Sequence, residues 1–73
     1  MNMKINNTKA FGEMIKKQRK QLGYTQKYIC EVSGISASYI SDLENGKATA
    51  ELGKAIYLAN LLGVDIFLVE RGS

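Results

Sequence analysis

The chain has 73 residues, 45% of them hydrophobic, and this length allows one small domain. A single cysteine excludes an internal disulfide and fits a reducing, cytoplasmic location, and no apolar run is long enough to cross a membrane. The net charge of +3 at pH 7 is compatible with nucleic-acid binding, but it also suits an ordinary soluble protein. With no histidine and no paired carboxylates on a pocket-forming element, we predict no enzymatic activity, no metal and no cofactor.

Residues 1–7 are polar and predict a flexible N-terminal arm. Thr8 is the predicted N-cap of a first helix over 8–22, and Gly23 is suited to end that helix. Mostly apolar residues at helical spacing predict its inward face. They are Phe11, Met14, Ile15, Gln18 and Leu22.

Two short segments with helical apolar spacing follow, and they predict helices at 25–32 and 36–45. Thr25 and Ser36 are their predicted N-caps. Each segment is too short to bury its apolar face alone, so each needs the other. Gly34 lets the chain turn between them, where a Cβ would clash. Two helices joined by a short turn containing glycine form a helix-turn-helix unit, whose second helix can enter a DNA major groove.

A fourth helix is predicted to begin near Thr49 and to end by Gly63, with its body over 50–62. Its core stripe is predicted to contain Leu52, Ala55, Ile56, Ala59 and Leu62, widened by Leu58 and Leu61. This is more apolar surface than one side of a surface helix needs. We therefore expect part of it to face a partner.

The β-branched and aromatic residues of 64–69 predict a strand. A lone strand leaves backbone groups unpaired, so pairing with the same strand of a second chain is expected, and an irregular packed tail is the alternative.

The predicted fold is all-α: a compact four-helix domain over 8–63 that contains the helix-turn-helix unit, followed by a short C-terminal β-strand. Residues 64–73 form the predicted dimerisation tail.

Several residues at fixed spacing resemble a known family. They are Thr25 and Gln26 opening one helix, Gly34 in the turn, Ser36 and Ile40 in the next helix, and the run 43–47 closing it. With them the chain resembles the Cro/C1-type (XRE) helix-turn-helix regulators, a family with a lambda repressor-like fold, over about 11–70. Cys30 departs from the alanine usual there, but it is small enough to fit. The SDLENGK run and the tail resemble the HipB-like antitoxin branch.

The resemblance implies a homodimeric, sequence-specific DNA-binding repressor that binds a palindromic operator in double-stranded DNA. The HipB-like branch further implies the antitoxin of a HipBA-like toxin–antitoxin pair, which autoregulates its operon and has a kinase-like toxin protein as partner. The alternative is a protein-interaction module that keeps the helix-turn-helix scaffold without sequence-specific DNA binding, because fold does not fix function.

With Ile40 and Leu43 turned inward, the helical period turns the opposite side of the second helix outward. The outward residues are Ala37, Ser38, Ser41 and Asp42, and the resemblance implies that they contact bases. They lack the arginine, glutamine or asparagine side chains that make the strongest bidentate base pairings. We therefore expect weak direct readout, with more left to backbone contacts and DNA shape.

Four further residues are predicted to contact phosphates. They are Gln26, Tyr39, Asn45 and Lys47. Gln26 would lie in the first turn of its helix, where free backbone N–H groups favour an anion. The alternatives are an ordinary helix position for Gln26, a ring laid on a base or core packing for Tyr39, and a solvated loop charge for Lys47.

Two structural roles complete the predictions. The resemblance implies an ion pair between Arg19 and Glu44, which would fix the first helix against the third, and the alternative for Arg19 is a solvated charge. The predicted dimer interface contains Ile66, Phe67 and Leu68.

Overall fold

The computed structural model describes residues 3–47 and 51–72. Within these ranges the chain is all-helical, as predicted, and each helix lies close to its predicted position. The elements are α1 (Thr8–Gln21), α2 (Gln26–Ser33), α3 (Ala37–Glu44) and α4 (Leu52–Leu61). Not one of these helices is long and apolar enough to span a membrane.

The caps of the two short helices are those that the sequence predicts. The Thr25 side chain accepts a hydrogen bond from the backbone N–H of Tyr28 at 3.0 Å. The Ser36 side chain accepts one from the N–H of Tyr39 at 3.2 Å. Gly34 ends α2 in the left-handed region, at φ 76°, which confirms its predicted place in the turn. A Cβ built there has nothing within 4 Å, so it is the backbone angle that favours glycine, and not a clash with another part of the chain.

The predicted cap of α1 is wrong by one residue. Asn7 is the N-cap, and its side chain accepts from the N–H of Ala10 at 2.8 Å. Asparagine and threonine are both good caps, so sequence preference does not separate them. Thr8 instead donates its hydroxyl to the carbonyl oxygen of Gly46 at 2.7 Å, which ties the start of α1 to the turn after α3.

The core is built from residues of all four described helices and of the segments next to them. Ile40 in α3 and Leu58 in α4 have no exposed surface. The buried apolar residues are Ile15, Ile29, Ile35, Ile40, Leu43, Ala55, Leu58, Ala59 and Leu62. Every described helix contributes at least one of them, so burial against its neighbours stabilises each short helix.

An unusually close contact joins α1 to the end of α3. Gly12 is buried, and a Cβ built on it would lie 2.9 Å from the backbone oxygen of Glu44 and still closer to that of Leu43. Real Cβ atoms do not approach backbone that closely. Gly12 was not among the predicted residues, yet it sets the distance between the two helices.

The predicted core face of α4 is partly wrong. Leu52 is 72% exposed, and Ile56 and Leu61 are also exposed. The buried residues of the helix, together with its C-cap, are Ala55, Leu58, Ala59 and Leu62. Their spacing of three and four defines one face, and Leu52 precedes it while Ile56 lies beside it. The predicted start near Thr49 lies outside the described residues.

The predicted C-terminal strand is also wrong for the single chain. Residues 64–72 have no regular secondary structure. Val64 packs partly against the core, whereas Phe67 and Leu68 are 78% and 98% exposed. A strand exists only where a neighbouring strand pairs with its backbone groups, and the described residues of one chain provide no such neighbour.

Candidate nucleic-acid interface

The outward side of α3 is accessible as the helical period predicts. Ile40 and Leu43 are buried, whereas Ala37 and Ser38 are exposed and Ser41 and Asp42 are half-buried. The four residues predicted to contact bases therefore share a surface that is at least partly open. Their small side chains leave this surface free of bulky obstruction.

Asp42 and Lys47 form an ion pair with 3.3 Å between Oδ1 and Nζ. The resemblance implies that the Asp42 carboxylate contacts a base, and the Lys47 ammonium is predicted to contact a phosphate. Their side chains are 50% and 62% exposed, so water weakens the attraction to about 1 kcal/mol or less. The pair can open at little cost, and while closed it offsets the negative charge of Asp42 beside any approaching anion.

Asn45 ends α3 and is exposed. Its side-chain nitrogen lies 3.5 Å from Ser41 Oγ, at the long limit for a hydrogen bond. Gly46 follows in the left-handed region at φ 79°, and its carbonyl oxygen accepts from Thr8. The turn that carries Asn45 and Lys47 is therefore held against the first turn of α1.

Tyr39 makes the contacts of a packing residue. Its ring lies against the core, and its hydroxyl donates to the backbone oxygen of Glu51 at 2.8 Å. Lys54 Nζ lies 5.6 Å from the ring centroid. Burial, with a smaller effect of the Glu51 charge, raises the pKa of the Tyr39 hydroxyl above its usual value. Tyr39 is predicted to contact a phosphate, but its hydroxyl proton is already donated to the backbone oxygen of Glu51.

Arg19 and Glu44 form a two-pronged ion pair between α1 and α3. Arg19 Nε donates to Glu44 Oε2 at 2.6 Å, and Nη2 donates to Oε1 at 3.0 Å. The third nitrogen, Nη1, donates to the backbone oxygen of Tyr24 at 2.7 Å. The two side chains are only 9% and 2% exposed. The hydrogen bond to Glu44 outweighs desolvation and raises the pKa of the Arg19 guanidinium.

Gln26 joins this pair, a contact that sequence reasoning missed. It is half-buried at the first residue of α2, and its Nε2 donates to Glu44 Oε1 at 3.1 Å. No local pattern links positions 26 and 44, because only the tertiary fold brings them together.

Gly12, by contrast, did carry a signal in the sequence, since an isolated glycine inside a helical pattern often marks close packing.

The residues predicted for the dimer interface are all exposed. Ile66 is 42% exposed, and Phe67 and Leu68 are more exposed still. They follow Val64, whose backbone N–H donates to Ala59 and so fixes the start of the tail on α4. The tail thus presents apolar side chains that the described part of the chain does not cover.

The short helices α2 and α3 are joined by a turn in which Gly34 has a left-handed backbone conformation. Together with α1 and α4, which contribute to the same core, they define a helix-turn-helix domain. A helix-turn-helix family model matches residues 15–69. The chain is 31% identical over 72 residues to the uncharacterized HTH-type transcriptional regulator y4mF of Sinorhizobium fredii (strain NBRC 101917 / NGR234), covering 99% of this chain and 95% of that protein. The chain belongs to the helix-turn-helix family.

A second relative is longer. The SPbeta prophage-derived uncharacterized HTH-type transcriptional regulator YonR of Bacillus subtilis (strain 168) is 35% identical over 63 residues, which cover 86% of this chain and 58% of that protein. Solved structures are also similar: a HipB-O4 20mer complex with a TM-score of 0.86 and a HipA-HipB-O2-O3 complex with 0.87. Both are 24% identical and cover 97% of this chain and 100% of the matched chain, which shows the shared fold.

Proposed function

We propose that this protein is a homodimeric, sequence-specific DNA-binding repressor. The observation that carries the proposal is α3, a short helix with a buried inner side and an open outer side of small residues. The major groove is wide enough to admit such a helix. Both relatives are HTH-type transcriptional regulators, and the similar HipB structure is a complex with a 20mer; both findings support the same function.

In this proposal the outer side of α3 meets base edges. Ala37 offers a methyl group to thymine, Ser38 and Ser41 exchange hydrogen bonds, and Asp42 accepts from cytosine once Lys47 turns to a phosphate. Gln26 and Asn45 also contact phosphates. Tyr39 contributes through its packing and, with its hydroxyl proton donated to Glu51, can only accept a further hydrogen bond.

Two substitutions separate phosphate contact from base reading. Gln26→Ala should weaken binding to every duplex, because phosphates carry no sequence information. Ser38→Ala should change the preference at one base pair by about 1–3 kcal/mol at most. The measurement is a titration against an operator selected from random duplexes, and against single-base variants of it.

Gln21→Ala is the matched control for Gln26→Ala, because Gln21 is an exposed glutamine at the end of α1. Its removal should leave the affinity unchanged. If neither Gln26→Ala nor Ser38→Ala altered the titration, the assignment of α2 and α3 to the groove would be wrong.

The exposed apolar residues of α4 and the tail support a dimer. One recognition helix reads only a few base pairs, whereas two related by a two-fold axis read half-sites about 34 Å apart. A two-fold interface uses the same surface on both subunits. The surface proposed here contains Ile66, Phe67 and Leu68 of the tail.

A double change in the tail tests the dimer. Phe67→Gln with Leu68→Gln removes two large exposed apolar side chains and should give a folded chain that is mainly monomeric at micromolar concentration, because the apolar contact is lost. Sedimentation measures this. Glu70→Gln, an exposed polar change in the same tail, should remain dimeric. A wild-type monomer, or a double variant that stays dimeric, would exclude the tail from the interface.

We also propose that the repressor acts in the cytoplasm as the antitoxin of a kinase-like toxin protein and represses its own operon. The similar HipA-HipB-O2-O3 complex supports this, since it contains both HipA and HipB. Co-expression with the product of a neighbouring kinase-like reading frame provides the test. The two proteins should co-purify, and the chain should relieve the growth arrest caused by that product. If they do neither, the antitoxin role is excluded and the chain is a free-standing repressor.

A protein-interaction module is the second candidate function. Two observations favour it: the outer side of α3 lacks arginine, glutamine and asparagine, and the apolar tail is exposed. This candidate requires a folded chain that binds a protein partner but selects no operator from random duplexes.

A further inference from the structure

The carboxylate of Glu44 binds more than its ion-pair partner. Its Oε1 accepts from Arg19 Nη2 at 3.0 Å and from Gln26 Nε2 at 3.1 Å. An ionised carboxylate has no proton to donate, so the nitrogen of the Gln26 amide, and not its oxygen, must face Glu44. The contact therefore fixes which way the amide points.

The fixed amide still has a donor to offer. An amide nitrogen carries two N–H groups, and Glu44 takes one of them. Gln26 is only half-buried, and it lies in the first turn of α2, where backbone N–H groups lack partners within the helix. A phosphate there would meet a donor that is already ordered, so less side-chain entropy is lost on binding.

Arg19 makes this arrangement compatible with an anion. A carboxylate without a partner would repel a nearby phosphate. Two hydrogen bonds from Arg19 offset the charge of Glu44, and both side chains are almost completely buried. Glu44 can thus orient the amide without presenting net negative charge to the DNA.

We propose that Glu44 is a positioning residue for DNA binding, which holds the Gln26 amide so that its second N–H meets a backbone phosphate. This inference rests on the proposed function. It assigns to the buried ion pair a role in binding besides its role in joining α1 to α3.

Nuclear magnetic resonance tests the orientation without DNA. In the wild-type chain, the two side-chain amide protons of Gln26 should have more widely separated shifts than those of exposed Gln21, because only one of them faces a carboxylate. In a variant carrying both Arg19→Met and Glu44→Met, which replaces the ion pair with apolar side chains of similar size, this separation should disappear. Addition of a mixed-sequence duplex should shift the second proton in the wild type.

Affinity for the same duplex tests the role in binding. Gln26→Ala should weaken the wild type by about tenfold, as expected for a hydrogen bond to a charged group. The Arg19→Met, Glu44→Met variant should itself bind more weakly, and adding Gln26→Ala to it should change the affinity less than about twofold. The salt dependence of binding should fall little in either case, because no cation is removed from the phosphate contact.

Each other result overturns the proposal in an identifiable way. If the two amide protons of Gln26 in the wild type are no further apart in chemical shift than those of Gln21, Glu44 does not orient the Gln26 amide. This conclusion holds whether or not the apolar variant folds. If Gln26→Ala has the same effect in both backgrounds, Gln26 acts without Glu44. A folded wild-type chain that binds no duplex would instead overturn the proposed function and the positioning role together.

Discussion

Gly12→Ala should destabilise the domain by about 3 kcal/mol, as expected where a methyl group is forced into a closely packed contact. The added Cβ would press on the backbone oxygens of Leu43 and Glu44, which are held in α3 and cannot turn away as a flexible side chain can. A domain of this size has a small total stability, so the loss would be a large fraction of it. Urea unfolding followed by circular dichroism measures the change.

Gly53→Ala is the matched control. Gly53 also lies in a helix, α4, but a Cβ built there has nothing within 4 Å. The same substitution should therefore stabilise the chain slightly, by about 0.5–1 kcal/mol, because alanine loses less conformational freedom on folding. Similar stability changes for the two variants would mean that α1 and α3 are not in the close contact described.

Breaking the buried ion pair should also have a large effect. Arg19→Met or Glu44→Met alone should cost about 3–5 kcal/mol, because the surviving charge would be buried without its partner. The double change should cost less than either single change, since it leaves neither charge. A double-mutant cycle in urea measures the coupling.

The exposed pair of Asp42 and Lys47 provides the control, with the same types of charge at 3.3 Å. Its own cycle should give a coupling of about 1 kcal/mol or less, because at least half of each side chain is open to water. A coupling near zero for Arg19 and Glu44 would show that they are solvated in solution and do not join α1 to α3.

Local signals were enough to predict most of the fold. Cap residues such as Thr25 and Ser36 act on N–H groups within three residues, and Gly34 is required by its own backbone angle, so their roles can be inferred from nearby sequence. The errors occurred where distant residues decide the outcome. Asn7 became the cap while Thr8 bonded to Gly46, and no pattern near Thr8 indicates that partner.

The candidate site shows the same limit. Helical spacing predicted the open side of α3, since the spacing is a property of the helix itself. The contacts of Gln26 with Glu44 and of Tyr39 with Glu51 depend on how separate helices pack. The tail could not be predicted from composition, because residues with high strand preference form a strand only when a partner strand is present.

The most direct test of the DNA-binding surface is to map backbone amide shifts while an operator duplex, selected from a random library, is added to the labelled chain. We expect the largest changes at the outer residues Ala37, Ser38 and Ser41 of α3 and at Gln26 in the first turn of α2. Changes confined to α4 and the tail, with the signals of α3 unmoved, would contradict it.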